Sequence, residues 1–460
     1  MLNTIVIFGA SGDLTSRYLM PAIIRLHQAG QLPDGCRIIG LAREAWDTMG
    51  LRRHLEQKLD ESCPNMVHSS REAVLSITEY HQADVTKRDQ LAKVLGAVGR
   101  PLVAYLALPP GLFLPTVEAL AALSLHSGNK LVLEKPFGES LSSAQRLNRI
   151  LHRSFPEQDV FRLDHFLGKQ TVQNILGLRF ANRIFESLWN GQHIERVEIT
   201  WDETLTAGGR ASFYDATGAL RDMVQNHLLQ LLALIAMEPL HKLDERTLRD
   251  RKLDVLRAVQ RLAPDEIDRA TVRGRYGRGA IAGQETQPYI EERGVDAKRQ
   301  TETFAQVALT IENWRWAGVP FLLRTGKALG RDCRKIVVRF KPVPHLAFGQ
   351  TSQPQPNSLK IELDPDRISL SLNVNASGDL CELQPIELDS PFASGALPAY
   401  ARLLLDVLNG DPTLSIRDDE AEESWRIVEP ILTAWSAGAV PLVEYPPGSD
   451  GPSSANARAR

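Results

Sequence analysis

A short apolar segment that ends in a glycine-containing turn constrains the fold of this chain more than any other feature. Thr4–Phe8 is almost purely apolar and rich in β-branched residues, and Gly9-Ala10-Ser11-Gly12 follows it directly. A helix-like amphipathic stretch then runs to Gly30, and Cys36–Leu41 is again strand-like. A strand, a tight turn, a helix and a second strand predict the first βαβ unit of a doubly wound α/β sheet.

Further strand-like runs continue this alternation to about residue 163. Pro101–Leu108 stops at a proline pair, Lys130–Leu133 runs into Glu134, and Val160–Leu163 ends at Asp164. Open α/β sheets bind their ligands beyond the carboxyl ends of the strands, where these polar residues fall. We therefore predict a Rossmann-like dinucleotide-binding domain over residues 1–163.

The second half of the chain has a different rhythm. Its strand-like runs come largely without intervening helices, which predicts an α+β domain with a large, mainly antiparallel sheet over residues 164–445. These runs are Glu195–Trp201, Phe304–Ile311, Lys335–Phe340, Ser358–Leu363 and Ile368–Val374. Buried helices are predicted at Arg221–Glu238 and Ala399–Leu408. Residues 446–460 are rich in Pro, Gly, Ser and Ala, and this composition predicts a disordered tail.

Composition narrows the class of protein and its partners. The 460 residues are 43% hydrophobic and 24% charged, with a net charge of −3, so neither nucleic acid nor an acidic membrane has electrostatic support as a partner. The N-terminus lacks the pattern of a signal peptide, and the apolar run Leu228–Met237 is too short to cross a bilayer. Four cysteines stand far apart without a C-x-x-C pair: Cys36, Cys63, Cys333 and Cys381. We expect a cytoplasmic protein without a metal site.

The turn after the first strand is the candidate dinucleotide site. Gly9 and Gly12 allow the backbone to approach a pyrophosphate, and the following helix N-terminus offers N–H donors, so the candidate residues are Gly9, Ser11, Gly12, Asp13 and Leu14. The full G-x-G-x-x-G pattern is absent, which leaves a tight turn without a cofactor as the alternative.

The end of the second strand bears on the choice of cofactor. Arg43 at this place favours the 2′-phosphate of NADP, whereas the neighbouring Glu44 suits the ribose of NAD. A solvated surface pair is the alternative interpretation.

Two polar clusters are candidates for substrate chemistry. Asp164, His165 and Lys169 gather charge at a strand–helix junction and suit an anion site, although an aspartate cap with an exposed lysine is an equal alternative. The segment Arg221–Leu232 places Asp222, Gln225, Asn226, His227 and Gln230 in an otherwise apolar helix. Such groups need partners, which either a satisfied core or a ligand pocket provides.

At these clusters the sequence resembles the glucose-6-phosphate dehydrogenase family. The resemblance runs from Ile5 to about Trp435, and its most specific segments are Asp164-His165-Phe166-Leu167-Gly168-Lys169 and Asn313-Trp314-Arg315-Trp316. It extends to Tyr105–Pro110, Glu134–Gly138, Phe180–Asn182, Arg324–Lys327 and Tyr400–Asp406. The resemblance implies oxidation of a sugar phosphate at C1 to a 1,5-lactone with NADP, or alternatively NAD, by a homodimer or homotetramer.

The resemblance also implies roles for single residues. His227 matches the general base and Asp164 the carboxylate that orients it, and imidazole suits a base because its ordinary pKa lies near neutral pH. The remaining matches are His165 and Lys169 for the sugar phosphate, Glu203 and Asp222 for the sugar hydroxyls, Lys135 and Lys327 between sugar and nicotinamide, and Asp84 on the cofactor side.

Three departures from the family pattern concern the anionic end of the substrate. Phe166 stands where the family usually has tyrosine. Tyr18 stands where the family has lysine, and Ser16 stands where it often has another. Asp332 stands where the family commonly has lysine. We therefore expect weaker phosphate recognition with unchanged hydride chemistry. A dehydrogenase of a different or unphosphorylated aldose, and a non-catalytic cofactor-binding regulator, are the alternatives.

Overall fold

The computed structural model describes residues 2–99, 101–123, 128–348, 354–377, 382–391, 395 and 397–458, which leaves Cys381 outside it. The chain forms two compact units. The first contains Met1–Lys169, His241–Asp250 and Gly395–Glu422, and the second contains Gln170–Leu240, Arg251–Ser394 and Glu423–Arg460. The sequence-based boundary at residue 163 treated each domain as one continuous segment, whereas the first unit takes in two later segments.

The first unit is built on a six-stranded parallel sheet. Its order is β3-β2-β1-β4-β5-β6, and every neighbouring pair is parallel. This is the strand order of a Rossmann fold, with the change of direction between β1 and β4, so the predicted fold class is confirmed. The strands are β1 (Thr4–Phe8), β2 (Arg37–Ala42), β3 (Thr78–Gln82), β4 (Val103–Leu106), β5 (Lys130–Glu134) and β6 (Val160–Leu163).

Helices pack against this sheet because each presents an apolar stripe. They are α1 (Met20–Gln28), which follows a π-helical turn at Thr15–Leu19, and α2 (Thr48–Ser62), α3 (His68–Ser76), α4 (Arg88–Gly96), α5 (Pro110–Ala121), α6 (Leu141–Ser154) and α13 (Ala399–Asn409). A 3-10 turn lies at Glu157–Asp159. The apolar faces of α1, α2, α3 and α13 share one core with the sheet. Gly30 ends α1 with φ +65°, as its sequence position predicted.

The second unit is built on a nine-stranded mixed sheet of order β16-β15-β14-β13-β7-β12-β11-β8-β17. Only β7–β12 and β8–β17 pair in parallel, which confirms the prediction of a mainly antiparallel sheet. Its strands are β7 (Ile194–Asp202), β8 (Thr271–Tyr276), β11 (Phe304–Thr310), β12 (Pro320–Gly326), β13 (Cys333–Phe340), β14 (Ser358–Asp364), β15 (Asp366–Asn375), β16 (Leu383–Pro391) and β17 (Leu442–Tyr445). A separate hairpin joins β9 (Gly279–Ile281) to β10 (Gln284–Thr286).

The helices of the second unit are α7 (Gln170–Phe180), α8 (Arg183–Glu186), α9 (Ala211–Ala219), a π-helical segment at Leu220–Leu228, α10 (Leu229–Ala236), α12 (Ile267–Ala270) and α15 (Ser453–Arg458). Two helices, α11 (Glu245–Ala258) and α14 (Asp418–Ser436), begin in the first unit and end in the second. Short 3-10 turns lie at Tyr289–Glu291 and Ala297–Arg299. Among the described residues, no helix combines the length and the hydropathy that a membrane crossing requires.

The segment after β17 corrects the prediction of a disordered tail. Gly448 N–H donates to Ala328 O at 2.9 Å, and Gly330 N–H donates to Ser449 O at 2.9 Å. The Arg324 guanidinium donates to Asp450 O at 2.8 Å. The prediction of disorder does not hold at residues 448–450, because their backbone groups are hydrogen-bonded to β12 and to the loop after it, contacts that composition does not reveal.

Candidate active site

The turn after β1 lies at the carboxyl edge of the first sheet, where the strand order changes direction. Gly9 has φ +90°, and a Cβ atom at this position would stand 2.3 Å from Ala107 O, so only glycine fits. The N–H groups of Gly9 and Ala10 both donate to Leu41 O, at 2.8 and 3.0 Å. These bonds hold the turn in one conformation beside the end of β2.

The helix that follows the turn begins at Asp13 and Leu14. The first N–H groups of a helix have no intrahelical acceptors, so this end of the helix suits a pyrophosphate. The hydroxyl of Thr15 donates to Gly9 O at 3.0 Å, and that of Ser16 donates to Gly12 O at 3.1 Å. Ser16, at a position where the family often has lysine, therefore stabilises the turn by a hydrogen bond from within the helix.

The ends of β2 and β3 carry the residues predicted to face the ribose. The Arg43 side chain is exposed, and its charge contributes to a lowered pKa of Asp84, which is caused first by hydrogen bonds from Thr86. Glu44 accepts a hydrogen bond from the Ser11 hydroxyl at 2.9 Å. Arg43 and Glu44 thus both lie at the end of β2, and Glu44 contacts the turn through Ser11.

The end of β5 brings a buried acid beside the predicted Lys135. Glu134 is 6% exposed and accepts a hydrogen bond from the Tyr105 hydroxyl at 2.5 Å. Burial raises the pKa of Glu134 to about 7, although the bond from Tyr105 lowers it; the charge of Asp164 raises it further. This edge of the sheet thus holds an acid that titrates near neutral pH.

The end of β6 turns sharply through the predicted anion cluster. Asp164 is fully buried and accepts from the Phe166 N–H at 2.9 Å. Backbone bonds from Leu167 to Asp164 and from Lys169 to Phe166, both 3.0 Å, continue the turn. The side chains of His165 and Lys169 are half-buried. Both potential cations therefore stand on one turn, with the Asp164 carboxylate at its start.

Aromatic rings surround His165. Its imidazole stacks on the Tyr400 ring with centroids 5.5 Å apart and planes 12° from parallel, and Tyr18 lies 5.2 Å from the same ring. Phe166 is 2% exposed and meets His165 edge-on at 5.0 Å. Of the two aromatic departures from the family pattern, Phe166 therefore packs directly against the predicted phosphate ligand His165, and Tyr18 packs against Tyr400.

A kink in the second unit starts the helix that carries the predicted base. Gly218 has φ +74°, and a Cβ there would stand 2.5 Å from the Glu302 carboxylate. Glu302 accepts from the Leu220 N–H at 3.0 Å and is buried, which raises its pKa. This acid caps the π-helical segment, in which Asp222 is half-buried and His227 is 1% exposed.

The other polar residues of this helix find partners within the second unit. The Lys252 ammonium donates to the Gln230 amide oxygen at 2.9 Å, and both residues are 1% exposed. The Asn226 amide donates to Arg221 O at 3.1 Å and accepts from the His227 N–H at 2.6 Å. Gln230 and Asn226 are thus satisfied core residues, the alternative that the sequence left open.

Glu203 and Lys327 form an ion pair although 124 residues separate them. The Lys327 ammonium donates to the Glu203 carboxylate at 2.8 Å, and their side chains are about 20% exposed. The ammonium also lies 5.3 Å from the centroid of the Tyr214 ring. Burial, and then the charge of Asp222, raise the pKa of Tyr214. Tyr214 thus lies near both Lys327 and Asp222, two residues predicted to bind the sugar.

Sequence reasoning assigned no role to Tyr214, Tyr105, Glu134 or Glu302, although it placed Glu134 at the ligand-binding edge of the first sheet. Glu134 carried a usable signal, because it is a polar group at the end of an apolar strand, on the edge where ligands bind, whereas Tyr105 lies inside its strand. Tyr214 and Glu302 gave none, since their neighbours come from distant parts of the sequence.

Comparison with known proteins identifies the family. The model for the NAD-binding domain of glucose-6-phosphate dehydrogenase matches residues 6–174, and the model for its C-terminal domain matches residues 176–460. Glucose-6-phosphate 1-dehydrogenase of Mycolicibacterium smegmatis is 43% identical, with 97% of this chain and 94% of that protein covered.

Two solved structures are similar over nearly the whole chain. The glucose-6-phosphate 1-dehydrogenase of Mycobacterium avium has a TM-score of 0.89 and 35% identity, covering 100% of this chain and 97% of that one. A glucose-6-phosphate dehydrogenase in complex with its substrate, glucose 6-phosphate, has a TM-score of 0.90 and 32% identity, covering 99% and 97%. The chain therefore belongs to the glucose-6-phosphate dehydrogenase family.

Proposed function

We propose that this protein is a glucose-6-phosphate 1-dehydrogenase, which oxidises glucose 6-phosphate to 6-phosphoglucono-1,5-lactone and reduces NADP. This reaction opens the oxidative branch of the pentose phosphate pathway. The observation that carries the proposal is the match, over 99% of this chain, to a dehydrogenase solved with glucose 6-phosphate bound.

The reaction needs a base, an orienting acid and ligands for the sugar. We assign the base to His227, whose imidazole takes the proton of the C1 hydroxyl while the C1–O bond becomes the lactone carbonyl. Bound NADP supplies the acceptor for the hydride that leaves C1. The family resemblance gives Asp164 the role of orienting the base. By the same resemblance, Glu203 and Asp222 accept hydrogen bonds from the sugar hydroxyls, and Lys135 and Lys327 lie between the sugar and the nicotinamide.

The turn after β1 fits the cofactor. The close approach of the Gly9 backbone to Ala107, and the helix that starts at Asp13, suit a pyrophosphate. The exposed Arg43 guanidinium at the end of β2 suits the 2′-phosphate, so we expect NADP to be preferred and NAD to be the weaker alternative.

Recognition of the sugar phosphate rests on two donor side chains. His165 and Lys169 supply charge-assisted hydrogen bonds. Phe166 has no hydroxyl to add, and Tyr18 stacks near Tyr400. Two donors at about 1.5–3 kcal/mol each still favour glucose 6-phosphate over glucose by more than roughly tenfold in kcat/KM.

A kinetic matrix of two sugars and two cofactors tests this function. Glucose 6-phosphate and glucose are each assayed with NADP and with NAD, by the absorbance of the reduced nicotinamide. The preference for glucose 6-phosphate should exceed roughly tenfold. Lys169→Gln is the matched variant, because it should lower kcat/KM for glucose 6-phosphate and leave kcat/KM for glucose unchanged.

Two results would contradict the proposal. Equal efficiency on both sugars would favour a dehydrogenase of an unphosphorylated aldose. Binding of NADP without turnover of either sugar would favour a non-catalytic regulator. Assembly as a homodimer or homotetramer, and a cytoplasmic location, stay predictions from the sequence; sedimentation of the purified protein tests the first.

A further inference from the structure

The segment after β7 is tied to the loop between β12 and β13 by backbone hydrogen bonds. Glu203 N–H donates to Gly326 O at 2.9 Å, and Leu329 N–H donates to Glu203 O at 3.0 Å. Ala328 N–H donates to Leu205 O at 2.9 Å. Glu203 and Lys327 therefore stand opposite each other on two paired pieces of backbone.

A third side chain, Asp332, fastens the same two pieces. One oxygen of its carboxylate accepts from the Thr204 N–H at 2.7 Å and from the Thr204 hydroxyl at 3.0 Å. The other oxygen lies 3.4 Å from the Arg334 guanidinium. Thr204 directly follows Glu203, so this contact fixes the residue next to the ion pair.

The surroundings of Asp332 favour its charged form. The bond from the Thr204 N–H is the main reason why the pKa of Asp332 lies below its ordinary value, although burial opposes it. The side chain is 48% exposed, so a change at this position leaves no buried cavity. Asp332 is thus a charged group that accepts a backbone hydrogen bond from a residue 128 positions away.

We propose that Asp332 is a positioning residue, whose contact with Thr204 sets the Glu203 carboxylate against the Lys327 ammonium for binding of the sugar. The inference rests on the proposed function, since it takes Glu203 and Lys327 as sugar ligands. It contrasts with the interpretation that Asp332 faces the sugar phosphate and repels it. Both oxygens of Asp332 already meet donors of this chain, which supports the positioning role.

Two substitutions of Asp332 separate these interpretations by the sign of their effect. Asp332→Ala removes the acceptor of Thr204, so KM for glucose 6-phosphate should rise at least about threefold, with KM for NADP unchanged. Asp332→Asn keeps an acceptor oxygen for Thr204 and should stay within about twofold of the wild type. Repulsion predicts that both variants lower this KM, and either that result or an unchanged KM in Asp332→Ala overturns the proposal.

Thr204 offers a second pair of variants from the other side of the contact. Thr204→Val removes the hydroxyl and keeps the N–H bond, so KM for glucose 6-phosphate should rise less than in Asp332→Ala. Thr204→Ser keeps both bonds and should behave as the wild type. If Thr204→Val and Thr204→Ser changed KM for glucose 6-phosphate equally, the role of the Thr204 hydroxyl would be contradicted. These variants carry the test if Asp332→Ala does not fold.

Hydrogen exchange gives a measurement that does not depend on turnover. Peptides that span Thr204 should exchange at least about threefold faster in Asp332→Ala than in the wild type and in Asp332→Asn. Unchanged exchange in Asp332→Ala overturns the proposal whatever the kinetics show. A wild type that does not oxidise glucose 6-phosphate would instead refute the proposed function, and the exchange result would still report on the contact.

Discussion

Glu134→Gln should remove a pH dependence from the stability of the protein. Burial raises the pKa of Glu134 to about 7 from an ordinary value of 4.5. Between these values the folded chain binds a proton at this carboxyl that the unfolded chain has released. The contribution of Glu134 to the free energy of unfolding of the wild type therefore falls as the pH rises from about 4.5 to about 7. Glutamine cannot titrate, and its amide oxygen can still accept from Tyr105.

The size of the effect follows from the two pKa values. The gap between 4.5 and about 7, at about 1.4 kcal/mol for each pH unit, corresponds to about 3 kcal/mol. Relative to the wild type, Glu134→Gln should thus gain up to about 3 kcal/mol in unfolding free energy between pH 4.5 and pH 7. The wild type loses this stability because ionisation places a charge at a fully buried site.

Urea unfolding at several pH values, followed by circular dichroism, measures this difference. Asp406→Asn is the matched control. Burial raises the pKa of Asp406 to about 6, so the effect of this carboxyl on the free energy of unfolding stops changing at a lower pH than that of Glu134. Between pH 6 and pH 7 the control should therefore show the same pH dependence of stability as the wild type. A difference between wild type and Glu134→Gln that stays constant from pH 4.5 to pH 7.5 would refute the reasoning.

Three further predictions concern the base, the cofactor and the fold. His227→Asn should lower kcat by roughly 10²–10⁴-fold with little change in sugar affinity, and near-normal turnover of the folded variant would remove His227 from the role of base. Arg43→Ala should weaken NADP by about 1.5–3 kcal/mol and barely affect NAD; equal losses in a fluorescence titration would mean a structural role. Gly218→Ala should destabilise the fold by at least about 1–3 kcal/mol, because φ +74° and the contact with Glu302 exclude a Cβ, and an unchanged melting temperature would contradict this.

The sequence was most informative where structure is set by neighbouring residues. The first sheet follows from apolar runs and turns that lie close together, and Val160–Leu163 has the predicted bounds. β3 escaped notice because Thr78–Gln82 is only partly buried and has no apolar run. The parallel pairs β7–β12 and β8–β17 also gave no local signal, since they join distant segments.

In the candidate site, too, residues with local partners could be predicted and residues with distant partners could not. The turn residues Gly9 and Gly12 follow from local geometry alone. The pairing of Glu203 with Lys327 joins residues 124 positions apart, so no spacing rule predicts it. Asp332 was expected to weaken phosphate recognition because the family commonly has lysine there, and the structure shows that its carboxylate binds Thr204. Charge can be read from a sequence, but the partner of a charge depends on the fold.

Tyr445 at the end of β17 and the segment after it form hydrogen bonds with the Lys327 loop that can only be made late in synthesis. The Tyr445 hydroxyl donates to Lys327 O at 2.7 Å across 118 residues, and Gly448 donates to the neighbouring Ala328. At about 5–20 residues per second, the ribosome adds those 118 residues roughly 6–24 s after Lys327. During that interval the Lys327 loop lacks these hydrogen-bond partners. A nascent chain stalled before residue 445 should therefore expose this loop to proteases that spare it in the finished protein.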